Sequence, residues 1–352
     1  SINGWPGDLP LQHTMVLPGG KKFYVTTDNT ETYPAYIFAL KVHDINWNLG
    51  TADLEIKAML PVDLPNTPAE LPFVESVNDN QAVPGWLMAG GTQIHGPTIL
   101  PHSKFVYFTD WTSDKVRVIN RKTNDFAAVD PIIIPGYTEQ SHGIIFNKSG
   151  TIGLGTGYFY DNSVIDRYKT NRKTGDLEPV DQIRLGTEKR HAAFTHYIAW
   201  LDERYALTAS MQFDKTSLTP PETQKIIPPS VWLIDAWEGT ATKIIRHTNN
   251  VNGHGVFRSA SDLAVVGDKL YIAEEDTIDH TFGEDGYLSV FDISDRFHPR
   301  FIKRFKPGEE FPEGYAVAHT LSPTPDSRYL MLASWVSGYV IKIDTLTDTV
   351  DK

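Results

Sequence analysis

The sequence predicts an all-β protein built from a repeated unit of short strands. In residues 95–120, a His-Gly pair is followed by a turn, the aromatic-rich strand Lys104–Asp110 and a second strand that ends at Asn120. The same order recurs along the chain, with turn residues between the strands and no convincing helix. Radial repetition of four-stranded antiparallel sheets is the β-propeller architecture. We therefore expect a single β-propeller domain over residues 1–352.

Six units of three or four strands can be recognised in the sequence. In chain order they cover residues 13–57, 95–120, 142–166, 196–245, 262–305 and 319–344. We predict six four-stranded blades; the alternative is seven, with an irregular blade in the Pro-rich insert at about residues 60–92. That insert lacks four strand-like runs. The last unit has three clear strands, so its fourth must come from near the N-terminus or from the final residues.

Composition restricts the chemistry that the chain can perform. The absence of Cys excludes disulfides, thiolate zinc sites, iron–sulfur clusters and a Cys nucleophile, so a metal would need His, Asp, Glu or Tyr ligands. A net charge of −12 argues against a nucleic-acid or anionic-membrane partner. No apolar run is long enough for a membrane span. The chain starts at Ser1 without a signal peptide, which fits a mature periplasmic or secreted protein as well as a chain trimmed at that end.

Histidines recur at the start of the repeated units. In a propeller the first strand of each blade lines the central channel, so a residue repeated there recurs around the axis at one height. The histidines at or just before these positions are His13, His95, His142, His196, His254 and His319. We expect these imidazoles to meet at one mouth of the channel. Neutral imidazole binds copper, zinc, iron and nickel, so the six are candidate metal ligands; an ordered but metal-free ring is the alternative.

Loops at the same mouth carry candidate acid–base groups. Glu275 and Asp276 follow the second strand of the fifth unit, where they could act as carboxylate ligands or as a general base. His191 lies on the loop that enters the fourth unit, beside two basic residues that could attract an anionic or polar substrate. We take these three as candidate catalytic residues. Aromatic residues at matching loop positions, among them Trp335, would line the mouth as in many ligand pockets.

The repeat in residues 95–120, with His-Gly, Tyr-Phe-Thr-Asp and Val-Arg-Val-Ile-Asn, resembles the repeats of the YVTN and cytochrome-d1-like propellers over nearly the whole chain. A propeller with histidines on its innermost strands also resembles the propeller domain of nitrous oxide reductase and thiocyanate dehydrogenase, in which such histidines hold a multinuclear copper centre. This resemblance implies copper ligands at His95, His142, His196, His254 and His319, with His13 next. Those enzymes have seven blades, and nitrous oxide reductase has a Cys-containing domain that is missing here.

Three functional hypotheses follow. The first is a metal-dependent oxidoreductase that acts on a small-molecule substrate and passes electrons to an external acceptor or to oxygen. Copper suits an all-imidazole site by the Irving–Williams order, with zinc, iron, manganese or calcium as alternatives. The second keeps the metal as a Lewis acid for lyase or hydrolase chemistry. The third is a non-enzymatic propeller that binds copper or a protein partner.

Overall fold

β-strands and turns account for the regular structure of the residues that the structure describes. A computed structural model describes residues 11–27, 35–46, 51–62, 94–110, 115–134, 141–157, 164–187, 190–191, 193–211, 229–246, 260–275, 286–335 and 337–351. None of these residues lies in a helix, and the described part therefore contains no helix long and apolar enough to cross a membrane. The Pro-rich insert predicted at about residues 60–92 lies outside the described residues from position 63 onward.

The first three sheets are each built from strands in chain order. The first contains β1 (Leu11–Val16), β2 (Lys22–Thr27), β3 (Tyr36–Asn46) and β4 (Thr51–Pro61). The second contains β5 (Ile94–Ile99), β6 (Phe105–Asp110), β7 (Lys115–Asn120) and β8 (Asp125–Phe126), and β9 (Ile132–Ile133) also pairs with β7. The third contains β10 (Ser141–Phe146), β11 (Ile152–Gly157), β12 (Val164–Thr170) and β13 (Leu177–Arg184).

The last three sheets follow the same order, after the short pair β14 (Gly186–Thr187) and β15 (Arg190–His191). The fourth contains β16 (Ala193–Trp200), β17 (Tyr205–Met211), β18 (Ser230–Asp235) and β19 (Thr240–Arg246). The fifth contains β20 (Ala260–Val266), β21 (Lys269–Glu274), β22 (Tyr287–Asp292) and β23 (Arg300–Phe305). The sixth contains β24 (Ala318–Pro323), β25 (Tyr329–Ser334), β26 (Val340–Asp344) and β27 (Thr349–Val350).

These sheets confirm the predicted class, a six-bladed β-propeller with four-stranded antiparallel blades. The fourth strand of the sixth blade is β27, so it comes from the final residues, which was one of the two predicted sources. The chain divides into two compact units, residues 1–155 with 168–180, and residues 156–167 with 181–352. Within the first unit the first strand β5 contacts both β1 and β10, and within the second β20 contacts both β16 and β24.

Apolar side chains fill the space between successive sheets within each unit. In the first unit, Tyr24 and Ile37 of the first sheet pack with Ile94 and Phe108 of the second, all essentially buried. In the second unit, one cluster joins the fifth and sixth sheets through residues such as Tyr271. The second strand β6 is buried along its whole length, and each large apolar side chain contributes roughly 1.5–3 kcal/mol on burial. This packing fixes where the first strands of each unit lie.

Candidate functional site

Two predicted ligands, His95 and His142, lie side by side in the first unit. They begin strands β5 and β10, they are 6% and 3% exposed, and their ring centroids are 5.2 Å apart. Gly96 has a φ of +52°, and a Cβ there would lie 2.4 Å from the carbonyl oxygen of His142 and 2.6 Å from the Cα of Gly143. This left-handed conformation favours glycine, and the close approach leaves no room for any side chain. Gly96 therefore lets β5 and β10 approach closely enough for the two imidazoles to lie together.

A second histidine pair lies in the second unit. His196 of β16 and His319 of β24 have ring centroids 5.3 Å apart, and His196 is 4% exposed. The Nδ1 atom of His196 lies 2.8 Å from the carbonyl oxygen of Ser261. Because a carbonyl oxygen can only accept, Nδ1 carries the hydrogen, and the lone pair of the neutral ring is on Nε2. Fixing one nitrogen in this way is typical of histidines that ligate a metal through the other.

The ring of His319 is held by a carboxylate and an indole. Its Nδ1 atom hydrogen-bonds to Oε1 of the buried Glu275, which directly follows β21. Trp335 stacks on the imidazole with ring centroids 5.2 Å apart and planes 24° from parallel. Desolvation lowers the pKa of His319, but the hydrogen bond to Glu275 and the charges of Glu275 and Asp262 outweigh it and leave the pKa raised. Glu275 was predicted from the sequence as a candidate catalytic residue, and the structure places it against a predicted ligand.

Two residues that the sequence analysis did not single out complete this cluster. Asp262 of β20 is 5% exposed, and its two carboxylate oxygens accept hydrogen bonds from the backbone N–H groups of Leu263 and Leu321, each at 2.7 Å. Burial raises the pKa of Asp262 to about 7, although those two bonds and His319 act in the opposite direction. The pKa of Tyr197 is raised by desolvation and then by the negative charges of Asp262 and Glu275. A charged residue near the start of the apolar strand β20 was the sequence signal for Asp262.

The first strands that carry His95, His142, His196 and His319 each accept a hydrogen bond from a buried hydroxyl group of the preceding sheet. Thr109 donates to the carbonyl oxygen of His142, Thr156 to that of His196 and Ser261 to that of His319, each at 3.0 Å. Thr26 donates, also at 3.0 Å, to the carbonyl oxygen of Ile94, the residue before His95. These bonds tie the histidine backbones to the neighbouring blade.

The structure brings together part of the predicted site. It pairs His95 with His142, and it groups His196, His319 and Glu275. His13 lies in β1 and His191 in β15, with side chains outside the described part, and His254 and Asp276 lie wholly outside it. Within the described residues, no group of three or more His, Asp or Glu side chains is placed to hold a metal ion. The six-ligand ring therefore stays a prediction.

The donor atoms nevertheless suit a borderline transition metal. Both His196 and His319 are held through Nδ1, by a carbonyl oxygen and a carboxylate respectively, so the lone pair of each neutral ring is on Nε2. Two imidazoles bound at roughly 2.1 Å to one ion, with a tetrahedral angle between them, have ring centroids about 5 Å apart. The observed separations of 5.2 and 5.3 Å agree with that value.

Comparisons with known proteins support the fold. No protein-family model and no curated protein matches this chain. Among solved structures, it is similar to Kuenenia stuttgartiensis hydrazine synthase, with a TM-score of 0.59, 13% identity, and coverage of 96% of this chain and 77% of the other. It is also similar to a Pseudomonas aeruginosa periplasmic gluconolactonase, with a TM-score of 0.53, 11% identity, and coverage of 84% and 69%.

A third similar structure is the β-propeller domain of Myceliophteria thermophila Cps50 (Swd1), with a TM-score of 0.55, 8% identity, and coverage of 97% of this chain and 85% of the other. At these identities the likeness concerns the fold alone. Together with the six sheets, it assigns the chain to the β-propellers. The copper-specific resemblance stays a prediction.

Proposed function

We propose that this β-propeller is a metal-dependent oxidoreductase that binds copper through paired histidines and acts on a small molecule. The observation that carries the proposal is the pairing of first-strand imidazoles, with ring centroids 5.2 Å apart in one unit and 5.3 Å apart in the other. Crowded imidazoles compete for hydrogen bonds and repel one another when protonated, and a bound cation removes both costs.

Four described histidines would hold the metal, namely His95, His142, His196 and His319. Two imidazoles are fewer ligands than a transition metal normally takes, so His13 and His254 remain the proposed additional ligands. An all-nitrogen donor set without thiolate favours copper over zinc, iron, manganese or calcium. Bound copper would supply one-electron transfer to an external acceptor or to oxygen.

The chain's own residues prepare this site in distinct ways. Glu275 accepts the Nδ1 hydrogen of His319 and so fixes the orientation of the ring. Trp335 covers one face of the same imidazole. Asp262, with a pKa of about 7, is able to hold or release a proton near neutral pH. Asp276 and His191 remain proposed acid–base residues at the same mouth.

The similar solved structures are compatible with this proposal but do not select it. One is titled hydrazine synthase and another periplasmic gluconolactonase, so propellers of this shape carry both redox and hydrolytic names. The periplasmic or secreted location stays a proposal from the sequence. The choice between the two kinds of chemistry depends on whether the histidines bind a redox metal.

The test is elemental analysis of the purified chain after copper loading and removal of excess metal, together with visible and electron paramagnetic resonance spectra. We expect stoichiometric copper with a Cu(II) signal in the wild type. The double variant His196→Ala/His319→Ala should lose at least tenfold in copper affinity. His298→Ala is the matched control, because His298 is an exposed histidine whose ring pairs with Asp295, and it should bind copper like the wild type.

Absence of copper from the loaded wild type would reject the proposal. Equal losses of affinity in the double variant and in the His298→Ala control would also contradict it, because the copper would then be bound outside the paired histidines. Copper that binds stoichiometrically but never cycles between its oxidation states would favour the non-enzymatic propeller instead.

Hydrolysis is the second candidate, and the His319–Glu275 pair favours it. A buried carboxylate on Nδ1 orients the imidazole, and Nε2 of His319 has no hydrogen-bond partner among the described residues. In this case Nε2 takes a proton from water, the water oxygen bonds to a lactone carbonyl carbon, and the ring C–O bond breaks. The leaving oxygen then takes the proton back. Lactone hydrolysis by chelated, copper-free protein, measured in a pH-stat, would support this candidate over the first.

A further inference from the structure

A repeated hydroxyl position lies beside the histidine strands. In each of the first four blades, the penultimate residue of the second strand carries a hydroxyl group. In chain order these residues are Thr26, Thr109, Thr156 and Ser210. The three threonines are at most 1% exposed, and each donates to a carbonyl oxygen on the first strand of the next blade. Thr109 and Thr156 donate to the carbonyl oxygens of His142 and His196. Thr26 donates to the carbonyl oxygen of the residue before His95.

The fourth of these residues is the exception. Ser210 bonds to Ser230 of its own sheet, through the carbonyl oxygen at 3.3 Å and the hydroxyl at 3.0 Å. The next first strand, β20, is also the one that has no histidine. The hydroxyl thus reaches across to the next blade where that blade begins with a described histidine, and it stays in its own sheet where the histidine is missing.

In the fifth blade, a residue of the first strand donates the equivalent hydrogen bond to the next histidine. Its penultimate second-strand residue is Ala273, which has no hydroxyl, but Ser261 on the neighbouring first strand lies 3.4 Å from the carbonyl oxygen of Ala273. The Ser261 hydroxyl then donates to the carbonyl oxygens of Ala318, at 2.9 Å, and His319, at 3.0 Å. A different residue therefore supplies the same contact to the next histidine.

Ser261 also contacts the other histidine of its pair. Its backbone carbonyl oxygen accepts the Nδ1 hydrogen of His196, while its side chain holds the backbone of His319. One buried serine, 1% exposed, thus links His196 and His319, the histidine pair of the second unit. Its hydroxyl donates to the carbonyl oxygen of His319, which is two covalent bonds from the Cα that carries the imidazole.

We propose that Thr26, Thr109, Thr156 and Ser261 are positioning residues that set the height and spacing of His95, His142, His196 and His319. Each hydroxyl fixes the histidine backbone against the preceding blade, so that the imidazoles of one unit stay within reach of a shared ligand. The proposal concerns the placement of the rings, and it rests on the proposed function only for what the rings bind.

The test compares two serines that are matched in burial, Ser210 at 0% and Ser261 at 1% exposure. Ser261→Ala removes the hydroxyl that holds His319, whereas Ser210→Ala removes a buried hydroxyl that stays within its own sheet. Thr156→Val removes the bond to His196, and Thr156→Ser restores it. The melting temperature and the copper dissociation constant are measured for each variant, together with the electron paramagnetic resonance spectrum of the copper-loaded protein.

We expect Ser261→Ala and Thr156→Val to weaken copper binding by about 10- to 100-fold and to change the Cu(II) spectrum, as is usual when the support of a ligand is removed. Thr156→Ser and Ser210→Ala should keep the wild-type copper affinity and spectrum, even where Ser210→Ala lowers the melting temperature as much as Ser261→Ala does. Equal copper affinity in Ser261→Ala and Ser210→Ala would overturn the proposal.

A metal-free measurement separates this proposal from the proposed function. In chelated, ¹⁵N-histidine-labelled protein, Ser261→Ala and Thr156→Val should shift the imidazole nitrogen resonances of His319 and His196, and Ser210→Ala should not. If the wild type bound no copper but the two variants showed these shifts, the copper enzyme would be rejected and the positioning role would be kept. Unchanged imidazole resonances in Ser261→Ala and Thr156→Val would reject the positioning role.

Discussion

At the scale of single residues, the candidate site of the second unit is characterised by the hydrogen bonds that its two buried carboxylates accept. Both carboxylate oxygens of Asp262 accept backbone N–H groups, and Glu275 accepts from His319. Buried carboxylates normally need such donors, because desolvation disfavours the charged form. Two backbone bonds do not fully offset that cost for Asp262, whose pKa is raised to about 7.

This raised pKa predicts how the stability of the metal-free protein changes with pH. The pKa of Asp262 rises from 3.8 in the unfolded chain to about 7 in the folded one, so the folded state binds the proton more tightly. The resulting stability is fully present below pH 3.8 and is lost as the pH rises toward 7. The total is roughly 4 kcal/mol at about 1.4 kcal/mol per unit. The raised pKa of His319 acts in the same direction.

Urea unfolding between pH 4 and 8 checks this prediction. The free energy of unfolding of Asp262→Asn should fall less steeply between pH 4 and 7 than that of the wild type, because the amide has no charge to desolvate. Asp53→Asn, which changes an exposed carboxylate, should keep the wild-type slope. Parallel curves for the wild type and Asp262→Asn would show that Asp262 is ionised throughout the range.

At the scale of elements, short contacts between strands decide which histidines meet. Strands β5 and β10 approach at Gly96, where even a methyl group has no room. The second strands make a different contact with the next sheet, through a Lys and a Tyr side chain. Lys22 and Tyr24 bond to Asn124, and Lys269 and Tyr271 bond to Asp348. Asn124 and Asp348 both have positive φ, of 64° and 51°. Repeated contacts of this kind hold one sheet to the next within each unit.

Replacement of Gly96 by alanine is expected to cost more than its backbone conformation alone explains. Gly20 is the control, because its φ of +67° resembles the +52° of Gly96 but nothing lies within 4 Å of a Cβ placed there. Gly20→Ala should cost about 1–2 kcal/mol for the left-handed conformation. Gly96→Ala should cost an additional ~1–3 kcal/mol, since its Cβ meets backbone atoms that have little freedom to move. If urea unfolding showed similar losses of unfolding free energy for Gly96→Ala and Gly20→Ala, β5 and β10 would be able to separate easily.

The same elements show what the sequence could predict. The repeat of histidine, turn and aromatic strand predicted six blades, and the start-of-strand register predicted that His95, His142, His196 and His319 are equivalent. It did not reveal Asp262 or the hydroxyl of Ser261. Those residues act through bonds to the following sheet: Ser261 bonds to His319, 58 residues away, and Asp262 to Leu321, 59 residues away. A strand pattern specifies which face is buried, but it does not specify which atom of the next sheet is opposite.

At the scale of the whole molecule, electrostatics and repetition have separate consequences. Repetition gives every blade a first strand on which a ligand can be carried, so a site can be assembled without a dedicated loop or domain. The net charge of −12 has no part in that assembly. It acts instead on partners, since a strongly negative protein attracts cations and repels anions over about one Debye length, roughly 10 Å at 0.1 M salt.

This charge predicts how the copper-loaded protein exchanges electrons with small acceptors. After reduction with ascorbate, reoxidation by the cationic hexaammineruthenium(III) should slow severalfold as salt rises from about 10 to 200 mM, because screening removes the attraction of a protein with net charge −12. Reoxidation by the anionic ferricyanide should accelerate over the same range, and an uncharged quinone should show little change. Stopped-flow recovery of the Cu(II) absorption measures all three rates. If reoxidation by ferricyanide instead slowed with salt, electrons would leave at a locally positive surface, despite the negative net charge of the whole chain.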